Sequence, residues 1–378
     1  MGATGSDVVD RRTLGRTTLA RQLLLDRTDA TPEAVAEHLV GLQAQVPRDP
    51  YVALWSRVRA FDPAVVEEGL LTGELVRIVV QRGTIHLVTS RDAAWLRPLC
   101  QPVLDDELRR HSEHARHLDG LDLAPVLQVA APLLDEAART PAQLRALLAE
   151  SFPDHDAAAL AYACRNHLAL VQVPPRGLWT RSGQVRLQGF SAWTGRQLDG
   201  SADRATIVRR YLAAYGPATA ADLATFSRLT GWAATLDALR DELVVRRDES
   251  GRELFDLPGL ELTDPDVPAP VRFLPEYDDA LLSHADRSRF TDPTRPVAVP
   301  DGSRSVHGTV LVDGAVFGTW HRSDPDGAGT PTCIEVFHHG SVTARVAGRI
   351  EAEGRRLLQL LSPGLASADL RLRRVEDR

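Results

Sequence analysis

The first 260 residues of the chain repeat one pattern three times, and this repeat restricts the fold more than any other feature. Each copy starts a helix in a segment rich in Thr and Ala, continues through amphipathic helices, and ends in two short strands. Helix starts of this kind occur at Thr31, Thr140 and Gly216. In the first copy the strands are expected at 75–81 and 84–89.

Helices followed by a hairpin are the winged-helix form of the helix-turn-helix motif. The repeat therefore predicts an α+β fold with winged-helix units at 11–120, which includes a connecting helix, at 121–200 and at 201–267. In the second unit we expect strands at 168–173 and at 178–180, joined by a turn at PPRG. A generic α+β array without a nucleic-acid function is the alternative interpretation.

The sequence changes character after Pro258, where a segment rich in Pro and Asp leads into short strands. A hairpin turn is expected at Asp313-Gly314. The stretch EAEGRRLLQLLSP is an amphipathic helix, and the basic tail that follows it is expected to fray. Residues 268–378 are therefore predicted to form a C-terminal β-barrel or small sheet with a closing helix.

Apolar runs and cysteine spacing exclude several classes of protein. No apolar run approaches the roughly 20 residues that span a bilayer, and the start MGATGSDVVDRR lacks the apolar core of a secretory signal. We therefore expect no membrane partner and a cytoplasmic location. Cys100, Cys164 and Cys333 are far apart, form no CxxC pair and are expected to be buried thiols.

The basic residues are all of one type. The sequence contains no lysine, so the 44 residues counted as Lys and Arg are all arginines. No lysine amine is available to form a Schiff base. The formal net charge of −7 argues against a uniformly basic nucleic-acid binder, but it is compatible with a local groove lined by arginine.

The common catalytic signatures are missing from the sequence. There is no GxxxxGK[ST], no GxGxxG after a strand, no HExxH and no GxSxG. His111, His114 and His117 recur every three residues and lie near one face of an expected helix. A metal site is one interpretation of these histidines, and a solvated helix face is the other, which we favour because zinc ligands usually come from more than one element. No cofactor and no metal are expected.

Two glutamines flank one alanine at the end of the second helix of the first unit. Gln43-Ala44-Gln45 lies in GLQAQVPRDP, next to a break that contains proline. Considered alone, the triplet is a polar helix end whose amides cap the chain.

The chain resembles the winged-helix DNA glycosylase family typified by AlkZ and YcaQ, and the resemblance covers nearly its whole length. It depends on five segments that occur in the same order: GLQAQVPRDPYVALWSR, VQRGTIHLVTSRDAAWLRP, GPATAADLATFSRLTGW, RFLPEYDDALLSHADRSRF and VLVDGAVFGTWHR. The family signature is Gln-apolar-Gln or Gln-apolar-Asp. Gln43-Ala44-Gln45 has the first form, which is similar to the AlkZ-like branch.

The resemblance implies both a fold and a function. It implies three tandem winged helices that form a C-shaped cleft, followed by a C-terminal β-barrel. It implies a monomeric glycosylase that excises bulky N7-alkylguanine from double-stranded DNA and for which the unhooking of interstrand crosslinks is a further candidate activity. In the AlkZ-like branch this activity is associated with self-resistance to DNA-alkylating natural products. Because lysine is absent, we expect a monofunctional enzyme that leaves an abasic site.

A pair of neutral amides is sufficient for this chemistry. Alkylation at N7 gives guanine a positive charge and makes it a good leaving group, so the reaction needs little acid catalysis. It needs a water molecule held against C1′ and partial negative charge facing the oxocarbenium-like transition state. The resemblance gives this role to the amide oxygens of Gln43 and Gln45, and it predicts poor activity on neutral bases such as uracil.

DNA binding is then expected to come from arginine. Arg289, Arg295, Arg304 and Arg322 cluster in the C-terminal region and are candidates for contacts with phosphates. Arg287 is a fifth candidate, or it ties down its own loop. For each of these arginines a solvated surface is the alternative.

Further DNA-binding candidates lie in segments that resemble the family. Arg82 is one of them, with a structural role in a turn as its alternative. Trp320 and His321 lie in GTWHR and are candidates to face the cleft, but for Trp320 a position in the core is the favoured alternative. The loop at 323–332 is a candidate to probe a DNA groove.

A transcription regulator that reads DNA without cutting it is the competing function, because a fold does not determine a function. Such a protein would usually form a dimer and bind one operator sequence. A glycosylase would act as a monomer, tolerate any sequence and release the alkylated base.

Overall fold

The computed structural model describes residues 8–201, 203–292, 307–323, 332–363 and 369–375. Within these ranges the chain has an α+β fold with three sheets. The helices are α1 (Arg11–Arg21), α2 (Pro32–His38), α3 (Asp49–Arg57), α4 (Pro63–Thr72), α5 (Ser90–Leu99), α6 (Gln101–Arg110), α7 (Ala115–Leu118), α8 (Ala124–Glu136), α9 (Pro141–Ser151), α10 (Ala157–His167), α11 (Phe190–Thr194), α12 (Arg204–Tyr215), α13 (Ala220–Ser227), α14 (Trp232–Ala238), α15 (Asp279–Leu282) and α16 (Ala344–Leu361). The strands are β1 (Val8–Val9), β2 (Leu42–Gln43), β3 (Leu75–Val79), β4 (Ile85–Thr89), β5 (Leu170–Gln172), β6 (Leu187–Gly189), β7 (Val244–Asp248), β8 (Glu253–Asp256), β9 (Arg272–Leu274), β10 (Gly308–Val312), β11 (Ala315–Ser323), β12 (Cys333–His338) and β13 (Asp369–Arg374).

Threonine caps begin one helix in each of the three repeats. Thr31 accepts a hydrogen bond from a backbone N–H in the first turn of α2. Thr140 and Gln143 form a reciprocal capping box at α9, and Thr219 and Asp222 form another at α13. Each cap satisfies N–H groups that a helix start leaves unpaired, which is why these Thr-containing segments begin helices.

The same order of elements occurs three times along the chain. A helix is followed by a short extended segment, two more helices and a hairpin, in unit 1 (α2 to β4), unit 2 (α8 to β6) and unit 3 (α12 to β8). In each unit the extended segment pairs with the second strand of the hairpin. The pairs are β2 with β4, Arg139 with Leu187, and Ala218 with Phe255.

The hairpins of unit 1 and unit 2 share one five-stranded sheet, with the order β2-β4-β3-β5-β6. Ile78 of β3 pairs with Val171 of β5 and joins the two hairpins. The prediction of a strand at 178–180 is wrong, because the strand that pairs with β5 is β6. Pro174 and Pro175 follow β5 and have no N–H to donate to a ladder, so the chain leaves the sheet there.

The hairpin of unit 3 forms a separate sheet with the N-terminal segment. β7 pairs with β8 in antiparallel fashion, and β1 adds a parallel strand at the outer edge of β7. The chain before α1 thereby becomes part of unit 3, although the two segments are more than 200 residues apart in sequence.

The C-terminal sheet is open, which corrects the prediction of a β-barrel. Its order is β13-β12-β11-β10-β9, and the described edge strands β13 and β9 do not pair with each other. α16 covers one face, where Ile350 and Leu357 pack against Phe273 and Ile334. Because α16 returns the chain to the start of β12, the tail forms strand β13 parallel to β12, and the expected fraying is wrong for the part of the tail that the structure describes.

Helix α3 lies between two hydrophobic cores, and all nine of its residues are buried. Tyr51 and Leu54 belong to the largest core, which unit 1 shares with unit 3, whereas Val52 and Trp55 belong to the core beneath α16. The helix therefore fixes unit 1 against the C-terminal sheet. All three cysteines are buried thiols, as predicted, and none of the described helices is long and apolar enough to cross a membrane.

Candidate active site

The glutamine triplet follows α2 and lies at the β2 edge of the five-stranded sheet that unit 1 and unit 2 share. Gly41 has φ +108°, and a Cβ there would lie 2.6 Å from Val88, so glycine makes the turn into β2. Gln43 pairs with His86 of β4, and the N–H of Ala44 donates to the carbonyl of Ile85 at 2.7 Å. Ala44, which separates the two glutamines, is fully buried and anchors the triplet in the protein interior.

Gln43 is held in one orientation by a buried network. Its side-chain oxygen accepts a hydrogen bond from Nη2 of Arg82 at 2.7 Å, and its backbone N–H donates to Oδ2 of Asp279 at 2.9 Å. Because a guanidinium group only donates, the amide oxygen of Gln43 must face Arg82. Only 7% of Gln43 is exposed.

Arg82 joins the triplet to unit 3 and to the C-terminal region. It lies at the tip of the β3–β4 hairpin with φ +57°, and its guanidinium forms a close ion pair with Asp279. Nη1 donates to the carbonyl of Phe226 in unit 3 at 3.1 Å. A left-handed conformation at a residue other than glycine is strained, so these partners hold the tip in place.

His86 receives a hydrogen bond from Arg82 and remains uncharged. Burial lowers the pKa of its imidazole to about 4. Nδ1 lies 3.1 Å from the carbonyl of Thr84, which only accepts, so Nδ1 carries the proton and Nε2 accepts from Arg82 at 3.1 Å. His86 therefore supports the guanidinium without adding a positive charge.

Carboxyl groups lie beneath the triplet, in and around the loop between β9 and α15. Asp278 forms a bidentate pair with the fully buried Arg57, with distances of 2.7 and 2.8 Å, and fixes the loop. Asp49 is buried at the start of α3, and burial together with the carboxylate of Glu276 raises its pKa to about 8. Burial also raises the pKa of the half-buried Glu276. Asp49 is therefore protonated at neutral pH. The negative charge of this region comes from the other carboxyl groups in and around the loop.

Gln45 differs from Gln43 because it is exposed and makes no hydrogen bond to the described part of the chain. Its position is nevertheless fixed through the preceding residue, since Nη2 of Arg77 donates to the carbonyl of Ala44 at 2.8 Å. One amide is thus immobilised in the interior, and the other is presented to solvent beside it.

Two of the residues predicted to contact DNA lie in the interior. Nη1 of Arg289 donates to Thr18 at 3.0 Å, and only 8% of the residue is exposed. The indole N–H of Trp320 donates to the carbonyl of Leu274 at 2.8 Å, within the core beneath α16. These placements correct the expectation that the two side chains face DNA, because both satisfy the internal polar groups of the fold.

The other predicted DNA contacts are not gathered at the triplet. His321 is partly exposed on the C-terminal sheet, 3.5 Å from the carboxylate of Glu335. Arg322 donates to the carbonyl of Leu361, and Arg287 is half-buried. Arg295 and Arg304, with most of the loop at 323–332, lie outside the described residues. Among the predicted DNA contacts that the structure describes, only Arg82 touches a catalytic candidate.

Two of the three histidines of HSEHARH pack on an aromatic side chain. The rings of His111 and His114 stack with centroids 4.6 Å apart, and both contact the ring of Tyr162. Across the part of the chain that the structure describes, no group of three or more His, Cys, Asp or Glu residues is arranged to hold a metal ion.

Sequence reasoning missed the carboxylates that hold the triplet. Asp279 and Asp278 lie in RFLPEYDDALLSHADRSRF, one of the segments that carry the family resemblance. Two adjacent acids between a strand and a helix were the available signal. Their partners Arg82 and Arg57 are about 200 residues away in sequence, so no local pattern connects them.

Comparison with known proteins gives the same family over most of the chain. A sequence profile described as DNA glycosylase AlkZ-like matches residues 36–360. This chain belongs to the AlkZ-like DNA glycosylase family. The "Interstrand DNA cross-link repair glycosylase" of Streptomyces sahachiroi is 25% identical over 338 residues, which cover 83% of this chain and 88% of that relative.

A solved member of the AlkZ-like family has a similar fold. The structure titled "Streptomyces sahachiroi DNA glycosylase AlkZ" superposes with a TM-score of 0.72 and 20% sequence identity, and the match covers 97% of this chain and 100% of that one. The predicted membership of the family is therefore confirmed, and DNA is the substrate class of the family.

Proposed function

We propose that this chain hydrolyses the N-glycosidic bond of N7-alkylguanine in double-stranded DNA, including bulky adducts and interstrand crosslinks. The observation that carries this proposal is the pairing of an exposed amide, Gln45, with a buried amide, Gln43, that Arg82 and Asp279 hold in place. Gln45 orients the attacking water molecule. Gln43 and its partners make the support of Gln45 rigid.

The charges around the triplet suit a cationic reaction. As the bond breaks, positive charge moves from the alkylated base to the sugar, and fixed negative charge nearby stabilises it. Asp278 and Asp279 are buried carboxylates on the interior side of the triplet, and because each is neutralised by one arginine, the acidic group of this loop that is in no such pair in the described part of the chain is the one that can face the cation. Glu276 is the half-buried carboxyl group of this loop. A neutral amide is then a sufficient water ligand, because the departing base is already activated.

Hydrolysis stops at the abasic site in this proposal. A glycosylase that also cleaves the strand forms a Schiff base with an amine, and the sequence contains no lysine. We therefore assign a monofunctional activity to the chain.

The helices of the three units argue against a regulator that reads a DNA groove. Such proteins place the helix before the hairpin in the major groove and contact bases through its polar side chains. α4 and α14 contain no basic residue, and together they carry Glu67, Glu68 and Asp237. Every residue of α10 is buried or half-buried. These surfaces favour the enzyme over the competing function.

We infer the substrate class from the name of a relative. That relative is called an interstrand DNA cross-link repair glycosylase and comes from a Streptomyces species. By extension, we propose that this chain protects its own cell against a DNA-alkylating natural product.

The experiment measures base release from a duplex that contains a single N7-methylguanine, with enzyme in excess. Chromatography of the free base and alkaline cleavage of the strand report excision separately from any strand cleavage by the protein. We expect Gln45→Ala to lower the single-turnover rate by about 10²- to 10³-fold, as expected for loss of a group that positions a reactant. Gln43→Ala should lower it as well, by releasing the support of Gln45.

The matched control is Gln128→Ala, which removes an exposed glutamine from α8. This variant should excise at the rate of the unmodified protein. Absence of base release above the rate without enzyme rejects the proposal. Equal rates for Gln45→Ala and Gln128→Ala reject the role of Gln45.

A further inference from the structure

We propose that Arg48, Arg176, Trp179 and Arg181 form a DNA-binding surface beside Gln45, which holds the phosphates of the strand that carries the lesion. We refer to these four residues as the arginine–tryptophan surface. The inference rests on the proposed function and names the part of the protein that holds the substrate. It differs from the C-terminal arginines that the sequence predicts, because it belongs to unit 1 and unit 2.

The segment at 176–181 is bound to helices α3 and α4, which follow the triplet in the chain. The hydroxyl of Tyr51 in α3 donates to the carbonyl of Gly177 at 2.8 Å. Oε1 of Glu67 accepts from both the N–H and the hydroxyl of Thr180, at 2.7 and 2.9 Å. The loop that replaces the predicted strand of unit 2 is therefore a fixed wall beside the triplet.

Arg48 follows Gln45 by three residues and stacks on this wall. Its guanidinium carbon lies 4.9 Å from the ring centre of Trp179, and the ring of Tyr51 lies 5.1 Å from the same ring. Stacking on an aromatic face restricts a guanidinium while its N–H edge stays available for bidentate contact with a phosphate. Arg48 is exposed, so its charge is held in place at the rim of the site.

In the part of the chain that the structure describes, the arginines of this surface are not neutralised by ion pairs, even though the whole chain is acidic. No ion pair joins Arg48, Arg176 or Arg181 to a carboxylate within the described ranges. Beneath them, the buried Arg77 has its pKa lowered to about 10 by burial and by the positive charge of Arg176. A protein with net charge −7 thus concentrates unpaired arginine beside the catalytic candidate. Phosphates are the ligands that this arrangement suits.

The test measures the salt dependence of binding to an undamaged duplex by fluorescence anisotropy. Each phosphate contact adds about 0.9 to the slope of the logarithm of the binding constant against the logarithm of salt concentration. Arg48→Gln and Arg181→Gln should each reduce the magnitude of this slope by about one, and Trp179→Leu should weaken binding by releasing Arg48. Circular dichroism of each variant checks that the fold is retained.

Arg145→Gln is the matched control, because Arg145 is an exposed arginine of α9 with no described ion pair. Its slope should equal that of the unmodified protein. The proposal is overturned if Arg48→Gln and Arg181→Gln leave the slope unchanged, or if Arg145→Gln reduces it equally. Because binding is measured on undamaged DNA and base release on the damaged duplex, the two proposals can fail separately. If the variants alter the salt slope but the unmodified protein releases no base, only the glycosylase proposal is rejected. If the base is released but the variants leave the salt slope unaltered, only the proposed surface is rejected.

Discussion

Arg82 donates a hydrogen bond to the side-chain oxygen of Gln43 at 2.7 Å, and the same Nη2 atom contacts the carboxylate of Asp279. The orientation of a buried amide therefore depends on an ion pair between the tip of a hairpin and a loop about 200 residues further along the chain. Only 2% of the side chain of Asp279 is exposed. The charge of Asp279 consequently has no alternative partner in solvent.

Loss of Arg82 alone should destabilise the protein strongly. Arg82→Gln leaves the carboxylate of Asp279 buried without its counter-charge, and we expect a loss of about 3–5 kcal/mol in the free energy of unfolding. The double variant Arg82→Gln with Asp279→Asn removes both charges and should lose less than the single variant. Urea denaturation gives the comparison.

A surface ion pair provides the control for this experiment. Arg91 and Glu37 lie 2.6 Å apart but are 63% and 39% exposed, so Arg91→Gln should change stability by less than about 1 kcal/mol. A double variant that is less stable than Arg82→Gln alone would show that the ion pair is not the source of the effect.

Arg228 combines a strained backbone with a contact to the tip of the unit 1 hairpin. It ends α13 with φ +60°, and its Nη1 donates to the carbonyl of Arg82 at 3.1 Å. Arg228→Ala and Arg228→Gly both remove the side-chain contact, but only glycine adopts this φ without strain. We expect the Gly variant to be more stable than the Ala variant by about 1 kcal/mol.

Arg209 gives the opposite expectation at an ordinary helical position. It lies within α12 and is exposed, so Arg209→Gly should be less stable than Arg209→Ala by about 1 kcal/mol. Thermal denaturation of the four variants measures both differences. If glycine is the less stable choice at both positions, the strain at Arg228 is not present in solution.

The sequence is sufficient to predict features that depend on neighbouring residues. Thr140 begins a helix because its hydroxyl and the side chain of Gln143 satisfy nearby backbone groups, and this geometry is visible in TPAQ. Gln43 and Gln45 were found through the family resemblance, since the residues alone indicate only a polar helix end. Their different exposure results from tertiary packing and has no local signature.

The features that were missed depend on distant partners or on competition between strands. Residues 178–180 have a sequence suited to a strand, but Glu67 binds Thr180 and Tyr51 binds the preceding Gly177 outside the sheet, and β6 takes the place of the predicted strand. The C-terminal sheet stays open because α16 covers one face and β13 extends an edge. Strand patterns alone do not distinguish this arrangement from a barrel.

The buried carboxyl group of Asp49 should make stability depend on pH. Burial, and then Glu276, raises its pKa from 3.8 to about 8, so the folded state binds a proton that the unfolded state has released over this interval. The contribution of Asp49 to stability therefore falls as pH rises from about 4 to about 8, at up to about 1.4 kcal/mol per pH unit. Asp49→Asn should lose less stability over this range than the unmodified protein.

The comparison requires urea denaturation of both proteins at pH 5 and pH 8.5. Asp154→Asn is the control, because it makes the same substitution at an exposed aspartate. Identical losses of stability in the unmodified protein and in Asp49→Asn would mean that Asp49 is ionised in the folded state.

Gly177 places the unit 2 loop directly on Arg77, the residue that holds the backbone between the two glutamines. Its φ is +94°, and a Cβ there would lie 2.5 Å from Cδ of Arg77. Gly177→Ala must therefore displace Arg77 from the carbonyl of Ala44 or move the loop, and the backbone strain alone costs about 1–3 kcal/mol. We expect reduced stability and a lower rate of base excision.

Gly200→Ala is the matched control for Gly177→Ala, because a Cβ at Gly200 meets no atom within 4 Å and its φ is not in the left-handed region. This variant should keep both the stability and the excision rate of the unmodified protein. Chemical denaturation and single-turnover excision are measured on the same preparations. If Gly177→Ala loses stability but excises at the full rate, contact between the loop and Arg77 supports the fold without controlling the position of Gln45.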